Sequence, residues 1–221
     1  MSAGAEILAA GRVDARGVAG SSGVRGVWTD LGVQAPGTAA SFRALFGRPD
    51  ATFRRIDRAS RALVLAAEAA GLAEALPRTA RDDTALVIET ERGCLEADLR
   101  FQRGLERDVL EGAVFPYTLP SAALGELALR HGLRGPALCL SIGADGRGEA
   151  LREAVRLIEE GAVTYAVAGR VEALSEARAD LGPGLHAVVV LLAPRGTRAG
   201  AAACDIAPGD GLHRIGSSIP T

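Results

Sequence analysis

The chain contains no lysine and no asparagine, and all 25 of its basic side chains are arginine. So uniform a usage looks like a genome-wide composition bias, and no function is read from it. An excess of charge of either sign is also missing, with 27 acidic residues against the 25 arginines and a pI near 6.0. Neither nucleic acid nor an anionic membrane is therefore an expected partner. Cysteine is scarce and scattered: Cys94, Cys139 and Cys204 form no CxxC pair and no disulfide framework, which fits a reducing cytoplasm. The N-terminus lacks a basic start followed by an apolar run, and no apolar run approaches the roughly 18 residues of a membrane span. The longest such run, residues 187–193, has the length of a buried strand.

What is present is enough apolar matter for a sizeable core. Hydrophobic residues make up 48% of 221, charged residues 24%, and the mean hydropathy is +0.17, so disorder over the whole chain is excluded. The length suits one domain or two small ones. Residues 6–13 read as a first strand, and 17–26, GVAGSSGVRG, as a flexible loop whose GxxGxxG spacing only imitates a phosphate-binding fingerprint. Helices are predicted over 51–71, capped by Asp50 with Phe53, Ile56, Leu63, Ala67 and Ala70 inward, and over 95–108, 121–131 and 145–160. Strands are predicted over 84–89, 136–142, 163–168 and 185–192. Strands that alternate with helices and are apolar throughout imply an α/β fold, with a parallel or mixed sheet covered on both faces. Beyond about 195 no regular element is predicted, which divides the chain into a domain over 1–194 and an irregular tail over 195–221.

The most informative stretch is GPALCLSIGADGRGEALREAVRLIEEGAVTYAVAGRVEAL, residues 135–174. It reads as a strand, a small-residue turn at Ile142, Gly143, Ala144, Asp145 and Gly146, a helix with Leu151, Ala154, Val155 and Ile158 inward, and another strand. Such a turn sets one side chain at a helix N-terminus, where the dipole lowers a thiol pKa and backbone N–H groups can hold an oxyanion. It has the shape of a nucleophile elbow and lacks the nucleophile.

Along this stretch the sequence resembles the β-ketoacyl synthases, the thiolase-like condensing enzymes of fatty-acid and polyketide assembly. The likeness runs from Gly135-Pro136 through the turn to Glu160-Gly161 and Ala166-Val167-Ala168-Gly169. Residues 53–72, 85–105 and 115–136 are similar to the segments that precede the elbow in those enzymes. The resemblance, spanning about residues 5–193, implies a thiolase-like N-terminal half with a mixed, mostly parallel sheet. It also implies that Ala144 stands where the family carries its acyl-accepting cysteine. A methyl group forms no thioester. Cys139, five residues upstream, reads as a small buried hydrophobe, and Asp145 as a helix N-cap before it reads as a rescuing nucleophile. The family's two catalytic histidines lie in a C-terminal half with no match here, and His131, His186 and His213 fit neither of its histidine motifs. No GxSxG and no metal-ligand spacing is present, so neither a metal nor a cofactor is expected.

Several expectations follow. No catalytic residue is expected in the degenerate elbow at Gly143, Ala144, Asp145 and Gly146, with Asp145 and Ser141 as weak candidates. The resemblance implies a silent partner similar to the chain-length-factor subunits, pairing as a homodimer or with a full-length ketosynthase and touching an acyl carrier protein. Its interface would use Phe115, Leu119, Pro120, Ala122 and Leu124, and one half alone would leave an apolar helical layer uncovered. The rival is an acyltransferase, decarboxylase or hydrolase that acts on acyl thioesters through Asp145, Ser141 or a bound water.

Overall fold

A computed structural model describes residues 4–27, 39–143, 146–175 and 184–197. Its strands are β1 (Ala5–Val13), β2 (Gly17–Gly20), β3 (Arg25–Val27), β4 (Thr84–Thr90), β5 (Ala137–Ser141), β6 (Tyr165–Leu174) and β7 (Gly184–Pro194). The helices are α1 (Ala39–Phe46), α2 (Arg58–Ala70), α3 (Leu72–Ala75), α4 (Leu95–Glu106), α5 (Ala122–His131) and α6 (Glu149–Glu159). The residues of β4 and nearly all of β6 and β7 are buried, which demands cover on both faces of the sheet. On one face α2 and α5 supply Leu63, Leu65, Leu124 and Leu127, and on the other α6 supplies Leu151, Ala154, Leu157 and Ile158.

The seven strands run in the order β3-β2-β1-β7-β6-β4-β5. Only β4–β5 and β4–β6 are parallel, whereas β1–β2, β2–β3, β1–β7 and β6–β7 are antiparallel. The sheet is thus mixed and not mostly parallel. Residues 17–26 form the hairpin partner of β1 rather than a loop, and β7 runs antiparallel to both β1 and β6. Two of the hairpin's glycines, Gly17 and Gly20, serve close approach. A Cβ on Gly17 would lie 2.1 Å from the Gly26 carbonyl oxygen, and one on Gly20 would lie 2.0 Å from that of Ala69 on α2. Gly11 gives the same clearance to Ala66, so the alanine-rich α2, buried around most of its circumference, sits almost directly on β1 and β2.

α2 begins later than expected. Asp57, not Asp50, caps it, its carboxylate accepting from Ser60 N at 3.0 Å, and Gly71 closes it in the left-handed region at φ 72°. Asp50 instead caps the preceding turn through Phe53 N and pairs with Arg130 of α5. Phe53, Ile56, Leu63, Ala67 and Ala70 are all buried as predicted.

The outward face of α6 is charged, not apolar. It carries the ion pairs Arg152–Glu149, Arg156–Glu153 and Arg156–Glu160, at helical spacings that contribute only tenths of a kcal/mol each. The expected uncovered apolar layer is therefore absent from this helix. Exposed large apolar side chains gather instead at Leu105, Val109, Leu110, Phe115 and Leu119.

Candidate functional site

The elbow lies where the C-terminal ends of β4, β5 and β6 meet the start of α6. β5 is the sheet's edge strand, and its last residue Ser141, exposed, stands in register with Thr90 of β4. The turn continues through Ile142, whose N–H donates to Thr90 O at 2.9 Å, and closes with Gly146 N donating to Gly143 O at 3.0 Å. Ala144 and Asp145 lie outside the described residues. The described glycines of the turn, Gly143 and Gly146, bring no reactive side chain.

The start of α6 is occupied. Glu89 of β4, fully buried, accepts from Gly148 N with both carboxylate oxygens, at 3.0 and 3.1 Å, and from Ala150 N at 2.9 Å. These are the N–H groups that a helix N-terminus offers to an anion. Beside Glu89 in the ladder stands Arg170 of β6, whose Nη1 lies 3.3 Å from the Glu89 carboxylate. Its Nη2 lies 3.1 Å from Glu91 and 3.1 Å from Glu172. Glu172 in turn accepts from the backbone N–H groups of Glu91 at 2.7 Å and Arg92 at 3.1 Å. Burial pushes the Glu172 carboxyl up, and these donors with Arg170 pull it back only in part. A cavity of about 230 Å³ opens on this cluster, lined among others by Arg92, Arg147, Leu185 and His186. The Nη1 of Arg92 is buried there with no hydrogen-bond partner among the described residues.

Other candidates sit apart from this cluster. Cys139 is half-buried on β5, with its thiol pushed up by burial. Cys94 precedes α4, and burial followed by its contact with Asp98 pushes its thiol up to about 11, away from nucleophilic use. His131 is buried at the end of α5, and its pKa is pushed down to about 4 by burial and then by Arg130 and Arg81. His213 lies outside the described residues. No group of three or more His, Cys, Asp or Glu side chains that could hold a metal occurs among the described residues, and none of the described helices is long and apolar enough to cross a membrane.

Of the expected interface residues, Phe115 and Leu119 are 62% and 61% exposed, Pro120 is exposed and Ala122 half-buried. Leu124 points into the core beside Leu127 and is withdrawn from that surface, because α5 turns this side toward α2. A second surface is basic: Arg54, Arg55, Arg58, Arg61 and Arg100 line one cleft of about 550 Å³ with only Asp57 and Glu96 as carboxylates.

The chain matches the sequence model of the β-ketoacyl synthase N-terminal domain over residues 11–182. It belongs to the β-ketoacyl synthase family. Among solved structures it is similar to the ishigamide ketosynthase/chain length factor, at 20% identity and a TM-score of 0.66 over 88% of this chain and 63% of that one. It is also similar to the ketosynthase ApeO in complex with its chain length factor ApeC from Xenorhabdus doucetiae, at 20% identity and 0.60 over 87% and 79%. A β-ketoacyl synthase from Burkholderia phymatum STM815 follows at 18% and 0.58 over 87% and 59%. The chain thus spans about three fifths of the length of two of these three synthases. No curated protein matches it.

The sequence reading of this β-ketoacyl synthase domain centred on the turn at 142–146, of which Ala144 and Asp145 lie outside the described residues, and missed the neighbouring cluster. A signal was present: Glu89 and Arg170 are charges inside otherwise apolar runs, TALVIET and YAVAGRVEAL, and a buried charge needs a partner.

Proposed function

We propose that this β-ketoacyl synthase domain is a catalytically silent subunit that pairs with another ketosynthase-type chain, in the manner of a chain length factor, during polyketide or fatty-acid assembly. The observation that carries this reading is alanine at position 144, where the family's elbow presents the acyl-accepting cysteine. Two further features support it. β5 is an edge strand, and Phe115 and Leu119 are exposed; an unpaired strand edge and exposed apolar side chains are each suited to pairing with a second chain. The arginine-lined cleft is suited to an acidic carrier protein.

Two experiments test the reading. Incubation with acyl-CoA and with acyl carrier protein loaded as a thioester, followed by intact-mass analysis and thioester assay, is expected to give neither adduct nor turnover; either one would establish the rival enzyme. The native mass of the chain from its own cells is expected to exceed 22.7 kDa. A mass of twice that value with nothing else bound assigns the homodimer, and a complex containing a full-length ketosynthase assigns the heterodimer. Leu119→Asp is expected to abolish pairing, and an unchanged native mass would remove the interface from the argument.

A further inference from the structure

We propose that the cleft of about 850 Å³ bounded by β1, the β2–β3 hairpin, the α2–α3 junction and the end of α1 binds a small amphipathic amine. Its apolar body would lie on Leu8, Val24, Phe46 and Ala75, and its ammonium would meet the carboxylate of Glu74. The site is separate from the elbow. Tyr165, which lines the cleft, opens β6 and stands about 23 Å of extended chain from Glu172 near the other end of that strand.

The cleft has the size and lining of a ligand site. Small-molecule sites run from about 300 to 1,000 Å³ and combine apolar walls with a few polar groups that fix orientation. Leu8, Val24, Phe46, Ala75 and Tyr165 are each half-buried, packed on the core on one side and left on the cleft with the rest. Two backbone irregularities shape the walls. β1 carries a bulge between Ile7 and Ala9, which pair with the consecutive residues Leu192 and Leu191, and the extra residue Leu8 lines the cleft. Bulges re-aim a side chain and are over-represented beside functional sites. At the helix junction the left-handed Gly71, φ 72°, separates α2 from α3 and lets the Glu74 side chain fold back over it. A Cβ on Gly71 would lie 3.7 Å from Glu74 Oε2 and 3.2 Å from the Cβ of Ser22 on the facing hairpin.

Polarity selects the ligand class. Ser21, Ser22 and Thr197 donate their hydroxyls to backbone carbonyls, and Arg48 is paired with Glu68 at 3.1 Å. Of the three charged lining residues, Arg48, Glu68 and Glu74, the one with no partner among the described residues is therefore Glu74. The Tyr165 hydroxyl likewise has none. A positive, hydrogen-bond-donating head on an apolar body complements an unpaired carboxylate beside apolar walls, whereas an anionic head would be repelled. The inference is independent of the silent-subunit reading, because none of the lining residues belongs to the elbow.

Titration of octylammonium, octanoate and octanol into the isotopically labelled full chain, followed through amide chemical shifts, tests it. Octylammonium is expected to bind saturably with a Kd on the order of 1 mM, shifting the amides of Ser22, Glu74 and Tyr165. Octanoate is expected to bind about tenfold more weakly. Glu74 is exposed, so Glu74→Gln keeps the fold. That variant is expected to weaken octylammonium about fivefold and to leave octanol unchanged. Glu74→Lys is expected to reverse the preference between octylammonium and octanoate. Shifts that do not saturate, octanoate binding as tightly as octylammonium, or an affinity unchanged by Glu74→Gln overturns the proposal.

Discussion

Replacing Arg170 with methionine isolates the energetics of the cluster. Arg170 pairs with Glu89, Glu91 and Glu172, and the side chains of Arg170 and Glu89 are only 7% and 1% exposed. Methionine keeps the length and apolar stem of the side chain but removes the only guanidinium within salt-bridge distance of Glu89 or Glu172 among the described residues. Glu91 retains Arg147 at 3.7 Å, and Glu89 retains its two amide donors. Breaking a buried pair by removing one partner costs about 3–5 kcal/mol, because a desolvated charge is left behind. For a chain of this size that corresponds to roughly 10 °C in melting temperature. Since β6 lies between β4 and β7 inside the sheet, the loss should appear as global unfolding. Equilibrium urea denaturation of Arg170→Met, Glu89→Gln and the double variant measures both the loss and the coupling. The pair is expected to couple by about 0.5–3 kcal/mol, the double variant being less destabilised than the two singles added together. A single variant within about 1 kcal/mol of wild type, or strictly additive effects, would refute the assignment of Arg170 as the counter-charge of a buried carboxylate.

Gly20→Ala is expected to destabilise by at least about 1–3 kcal/mol, since its new methyl would meet the Ala69 carbonyl at 2.0 Å, and thermal melting would show it. Gly125→Ala, within α5 with open space around it, is expected to raise stability by about 1 kcal/mol in the same assay. His131 gives a pH signature. Its folded pKa is depressed from 6.5 to about 4, so it contributes stability that is fully present above 6.5 and lost as the pH falls toward 4, about 3 kcal/mol in all. A helix C-terminus favours the charged imidazolium, but burial and two neighbouring arginines outweigh the dipole. Urea midpoints between pH 7 and pH 4.5 should fall in wild type and fall less in His131→Leu; parallel losses would count against this origin.

The parts of the fold legible in the sequence were those in which one residue's neighbours along the chain decide its state. The apolar run at 187–193 and the inward set Leu151, Ala154 and Ile158 specify β7 and α6 locally. Residues 17–26 resisted because their meaning is tertiary. Gly17 and Gly20 look like parts of a flexible loop until β3 and α2 are seen to need their missing side chains. The same holds for strand direction, since nothing within residues 184–194 says that their neighbour β6 runs the other way. At the site, the stretch from Gly135 to Gly161 was legible as a strand followed by a helix. The pairing of Glu89 with Arg170, 81 residues apart, exists only through the register of β4 against β6.

The position of β1 has a consequence for how the protein is made. β1 is hydrogen-bonded to β7 from Ala5 opposite Pro194 to Val13 opposite Ala187, which places two strands about 180 residues apart in the chain side by side inside the sheet. At ribosomal rates of about 5–20 residues per second, β1 waits roughly 10–40 s for its partner to emerge. During that interval the edge of β1 that β7 later pairs with stays open. The chain is then most dependent on chaperones and most open to capture by another strand, and slowing of translation between residues 13 and 184 would lengthen that exposure without changing the final structure.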